Sequence, residues 1–149
     1  MQLKTILIAM LMTALFAASS SAETPTTDTR SPVDLLLRAT EVDDAAVGVA
    51  ATRTREYQAF AQLYKAGKPS ADAGKILVKA TSPAARIYGY LTLRHVSPAD
   101  AATAAPQLLQ DQALVKVLSG CKGRESTVAD LVARIQKGDN IIGLPVDSH

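Results

Sequence analysis

The stretch whose reading decides the fold is Ser82–Cys121, SPAARIYGYLTLRHVSPADAATAAPQLLQDQALVKVLSGC. Two Ser-Pro steps, Ser82-Pro83 and Ser97-Pro98, each set a capping side chain before a proline at a first helical position. After the first, Ala84, Ile87, Tyr88 and Leu91 share one helical stripe, while Arg86 and Arg94 are expected to reach water. After the second, PADAATAAPQLLQD reads as a helix in which Pro106 removes a backbone donor, predicting a kink or break. Leu114, Val117 and Leu118 read as one more helical turn or two before Gly120, although the valines leave an extended segment open. The stretch thus reads as a helical hairpin, and the fold class it predicts is all-α. Five or six short helices in antiparallel hairpins would wrap a single core.

Outward from this centre the same grammar repeats. Pro32 after Ser31 starts a short helix to about Thr40, and Glu41–Asp44 is an acidic break. Ala45–Ala51 (AAVGVAA) fits a helix, a buried loop or a short strand equally. Thr54 caps TREYQAFAQLYKA, whose stripe is Tyr57, Phe60, Ala61 and Tyr64, and Gly67 marks its end. Ser70 caps a helix to Ala80 in which Gly74 is an unfavourable interior residue. GCKGRE (Gly120–Glu125) is expected to be a turn. Thr127 with Asp130 resembles a capping box opening VADLVARIQK, with Val128, Leu131, Val132 and Ile135 on one face and Gly138 as the stop. In the tail, Ile141, Ile142, Leu144 and Val146 are apolar, so its first half should pack back on the domain.

The termini and composition bound the rest. Residues 1–22 have the three parts of a secretory signal peptide: Lys4, the apolar run Thr5–Ala18, and small residues Ser20 and Ala22 before Glu23. The run is shorter than the ~18–20 apolar residues a membrane span needs. Cleavage would remove 22 of the 149 residues and leave 127, one domain's worth, with the net charge falling from +2 to +1 as Lys4 departs. Residues 23–31 read as a disordered leader and 32–149 as a single helical domain. A near-neutral product with scattered basic residues, Lys122 and Arg124 being the one tight pair, lacks a nucleic-acid footprint. A lone cysteine, Cys121, excludes an intramolecular disulfide.

No motif for chemistry stands out. Gly67-Lys68 and Gly74-Lys75 lack the remaining residues of a phosphate loop, and no GxSxG elbow occurs. His95 sits where a helix C-terminus favours a cation, and a zinc site from His95 and Cys121 would need two further ligands. Asp43-Asp44 read as a solvated pair rather than metal carboxylates. Cys121 is expected to be a small buried side chain; the alternatives are a thiol activated by Lys122 and Arg124, or a link to another chain. Tyr57, Tyr64, Tyr88 and Tyr90 read as core-edge residues with hydroxyls at the surface, a concave face for a protein or peptide partner. No catalytic, cofactor-binding or metal-ligating residue is assigned.

A thirty-residue displacement relates Ala59-Phe60 to Gly89-Tyr90 and Leu63 to Leu93, and two such hairpins resemble HEAT or armadillo units. Chance similarity among Ala-rich helices explains the match as well. The series AAVGVAA, REYQAFAQLYKAG, SPAARIYGYLTLRHV, LSGC and VADLVARI also resembles an uncharacterised family of small bacterial exported proteins. That resemblance covers Ala45–Lys137, departs from the family's glycine at position 85, and implies a helical, periplasmic protein without implying an activity. The function these readings imply is a non-enzymatic binding or scaffold module, exported to the periplasm or beyond, whose partner is a protein or peptide. The alternative is a thiol-dependent or redox-active protein using Cys121.

Overall fold

The structure, a computed structural model, describes residues 30–144. The predicted signal peptide (1–22), most of the leader and Val146 lie outside the described residues. The chain runs α1 (Pro32–Leu37), β1 (Glu41–Val47), α2 (Arg55–Ala66), a 3-10 turn (Lys68–Ser70), α3 (Ala71–Leu77), α4 (Pro83–Val96), α5 (Pro98–Leu108), β2 (Leu114–Gly120), β3 (Lys122–Thr127) and α6 (Val128–Gln136). Six helices therefore pack with a three-stranded mixed sheet among the described residues, which overturns the all-α prediction. The stacked helical repeat falls with it. The sheet order is β1-β2-β3, with β1 parallel to β2 and β2 antiparallel to β3.

The helices begin where their caps stand. Ser31, Thr54, Ser82 and Thr127 each accept the backbone N–H three residues on, at 3.1–3.2 Å. Ser82 also donates to the Ala39 carbonyl, tying the start of α4 to the entry of β1. Ser70 and Ser97 differ: neither side chain caps its helix. Ser70 instead donates to the Leu63 and Gly67 carbonyls, and Ser97 to Asp100. Helix α5 continues through Pro106 to Leu108, because the missing N–H falls in the last turn and breaks nothing beyond it.

The strands formed where the helical reading was weakest. In β2, Val115 and Val117 are buried while Leu114 and Lys116 are exposed, a period of two. Leu114, Val117 and Leu118 also fit helical spacing, but β-branched residues and an available partner strand decide for the sheet. The hairpin loop between β2 and β3 is Gly120-Cys121, closed by the Ser119–Lys122 pair. Gly120 has φ +56 while Cys121 does not have a positive φ, as a type II′ turn requires. The expected turn over Gly120–Glu125 is thus only its first two residues. The acidic break is β1, with Val42 buried opposite Val117.

Helix α4 is the centre of the molecule. Ala84, Ala85, Ile87, Tyr88, Gly89, Tyr90, Leu91, Thr92 and Leu93 are all buried, so it is apolar on every side rather than along one stripe. It touches β1, β2 and all the other helices. Arg86 does not simply reach water. Its guanidinium donates to the Ala80 and Thr81 carbonyls and pairs with Asp111 at 2.7 Å. Asp111 in turn accepts from Ala113 N–H through its carboxylate and from Ala129 N–H through its carbonyl, fastening the starts of β2 and α6.

Candidate functional site

The two strand edges of the sheet are treated differently. At β1, the Tyr88 hydroxyl accepts the Asp43 N–H at 2.8 Å, and a bridge between Val47 and Thr52 folds the next segment against the strand. Tyr88 is fully buried, and burial raises its pKa so that it stays protonated. At β3, Lys122, Gly123, Arg124 and Glu125 are exposed. The register directs their side chains. Directly opposite residues share a face, so Arg124 lies with buried Val117, and Lys122 with Ser119, on the helix-covered side.

A cleft of about 530 Å³ opens on that side, between the β3 end of the sheet, α6 and the tail. Lys122 and Arg124 of β3, Arg134 of α6, residues 140–143 of the tail, and Asp44 and Ser119 line it. Asp44 is already committed. It accepts from Gly143 N–H at 2.5 Å, Ala45 N–H at 2.6 Å and the Ser119 hydroxyl at 2.8 Å. Burial alone would raise its pKa, but these donors outweigh that and hold it below the usual carboxylate value. Arg134 shares its charge with Asp139 at 3.0 Å. Lys122 and Arg124 pair with no carboxylate among the described residues, so the cleft presents unspent positive charge. Other cations are paired in part: Lys75 with Asp72 and Asp100, Lys116 with Glu41, Arg86 with Asp111.

The residues singled out by sequence are dispersed. Cys121 is exposed at the hairpin tip, which overturns the expectation of a buried side chain. His95 lies in the last turn of α4 and stacks on Tyr64, ring centroids 3.7 Å apart, lining a separate cleft. The two therefore do not form a Cys-His pair. Asp43 and Asp44 point to opposite sides of β1. Asp43 is 1% exposed, bonded by the Thr54 side chain, with Oδ1 lacking a partner. Burial is the main force raising its pKa. Among the described residues no group of three or more His, Cys, Asp or Glu could hold a metal.

The tyrosine face is likewise not formed. Tyr57, Tyr88 and Tyr90 are buried, with the Tyr57 hydroxyl donating to the Gly143 carbonyl. The Tyr88 hydroxyl is an internal tie to β1 and that of Tyr57 a tie to the tail. Lys122 and Arg124 were visible as a tight basic pair, but their meeting with Arg134 depends on a strand register that spacing alone does not reveal. No helix among the described residues is long and apolar enough to cross a membrane. No family model matches the chain, and no curated protein or solved structure shows significant similarity to it.

Proposed function

We propose that the chain is a non-enzymatic binding module of the bacterial envelope, exported to the periplasm or beyond, whose β3–α6 cleft receives carboxylate groups of a protein or peptide. The observation that carries this reading is the convergence of Lys122, Arg124 and Arg134 on a cleft whose own acid, Asp44, is consumed by three internal donors. Exposed charges of this kind give modest affinity and a strong dependence on ionic strength. Titration with triglutamate, followed by amide shifts, should perturb residues 122–124 and 134. The Lys122→Glu/Arg124→Glu variant should weaken binding at least tenfold. Shifts elsewhere, or an unaffected variant, would remove the reading. Export is supported by the pattern of residues 1–22 and is tested by the N-terminus of the protein recovered from the envelope, expected at Glu23.

One observation favours a second reading. Cys121 is exposed on a two-residue loop, where a thiol is open to reagents and to other chains. A mixed disulfide recovered from non-reducing extracts and lost in Cys121→Ser would support it. A free thiol in every extract would count against it.

A further inference from the structure

We propose that the open edge of β3 is a docking strand for an extended acidic segment of another protein, which adds to the sheet as a fourth strand with its carboxylates in the basic cleft. This rests on the reading of the cleft as a carboxylate site and goes further by naming the shape of the ligand. Three observations lead to it.

The first is the asymmetry of the edges. The β1 edge is occupied by the Tyr88 hydroxyl and the Val47–Thr52 bridge. Outside its ladder with β2, the backbone of residues 122–126 bonds to no turn, loop or cap among the described residues, while Thr127 opens α6 as its N-cap. Such a row of free N–H and C=O groups is a template for strand addition. The second is spacing. Lys122 and Arg124 are two apart on one face, hence about 6.8 Å along the strand. An added strand has the same repeat, so acidic residues at every second position would fall beside them, and the intervening side chains would face away from the cleft.

The third argues against a second copy of this chain as the occupant. A two-fold axis normal to the sheet keeps the helix-covered sides together, and so pairs only residues on the same face. Centred at Gly123 it sets Lys122 against the other copy's Arg124. Centred at Lys122, Arg124 or Glu125 it sets that residue against itself. Like charges directly opposite are destabilising, so the basic pair repels a copy and selects an acidic strand.

The test uses the purified protein and a blocked nonapeptide of alternating Glu and Thr. Two further peptides carry N-methyl groups on every second amide, in the two complementary patterns, which keep the charge and block one strand edge each. The parent peptide should bind at least tenfold more tightly than triglutamate. One methylation pattern should lose at least tenfold, and amide exchange in residues 122–127 should slow in the parent complex. Equal binding of all three peptides, or a parent no tighter than triglutamate, overturns strand addition while leaving the carboxylate cleft intact. Absence of binding by triglutamate and all three peptides overturns both.

Discussion

Two neighbouring aspartates show how little residue type decides and how much the surroundings do. Asp44 accepts three hydrogen bonds, and its pKa lies below the ordinary value. A depressed folded pKa contributes stability that is present above the unfolded value of about 3.9 and is lost as pH falls through the folded value. Asp44→Ala should therefore cost about 2–3 kcal/mol at neutral pH, as hydrogen bonds to a charged group are lost. The gap from the parent should close below about pH 4. Asp43 has the opposite sign. Its pKa is raised, chiefly by burial, so its contribution is intact below the unfolded pKa and is lost as pH rises through the raised one. Asp43→Asn keeps an acceptor for Thr54 and removes the buried charge. It should stabilise the protein at pH 7 by about 1 kcal/mol, given the usual penalty of an unsatisfied buried group, with the gain vanishing in acid. Thermal melts of both variants between pH 3 and 7 check the pair; parallel curves would show that neither carboxylate titrates differently on folding.

The contact between α3 and α4 turns on Gly89, where a Cβ would stand 2.6 Å from Leu77 Cβ and 2.7 Å from the Val78 nitrogen. Backbone cannot swing aside, so the helices must part. Gly89→Ala should lose about 1–3 kcal/mol to overpacking despite a gain of up to ~1 kcal/mol in helix propensity. At Gly74 the nearest obstacle is the tip of the Leu93 side chain, which can turn, so Gly74→Ala should lose less. Urea midpoints at constant slope would rank the two, and equal losses would refute the distinction. These elements also show what sequence can carry. Helices were legible because caps, prolines and 3.6-residue stripes are local: Ser31, Thr54, Ser82 and Thr127 mark four starts. Strands were not, for a different reason in each. In β1 the sequence EVDDAAV buries an acid, β2 fits two periods over five residues, and the first four residues of β3 are exposed and show no apolar alternation. Sheets are made by partners distant in the chain. The basic cleft inherits that limit, since Lys122, Arg124 and Arg134 meet only once the register is set.

Across the whole molecule, the parallel pairing of β1 with β2 joins segments separated by four helices, so the sheet closes only across the helical layer. Tyr88 links the two layers directly: it lies on the all-round buried helix and its hydroxyl accepts from the β1 backbone at Asp43. Arg86, two residues earlier and so on the opposite side of the same helix, reaches the other way to Asp111, which holds the starts of β2 and α6. Helix α4 thus holds both sides of the crossover, and loss of either tie should be felt by every element together. Tyr88→Phe keeps the packed ring and removes only the acceptor, leaving a buried N–H unpaired at a cost of about 1–3 kcal/mol. If sheet and helices unfold as one unit, that loss appears in full in the urea midpoint, and far-ultraviolet dichroism and tyrosine fluorescence give coincident transitions. If β1 can detach alone, exchange at Asp43 and its neighbours accelerates while the midpoint stays where it was. The structure favours the first outcome, because Val42 and Val117 stand paired in the same buried cluster as Ile87, Tyr88 and Leu131, with no separate core beneath the sheet among the described residues.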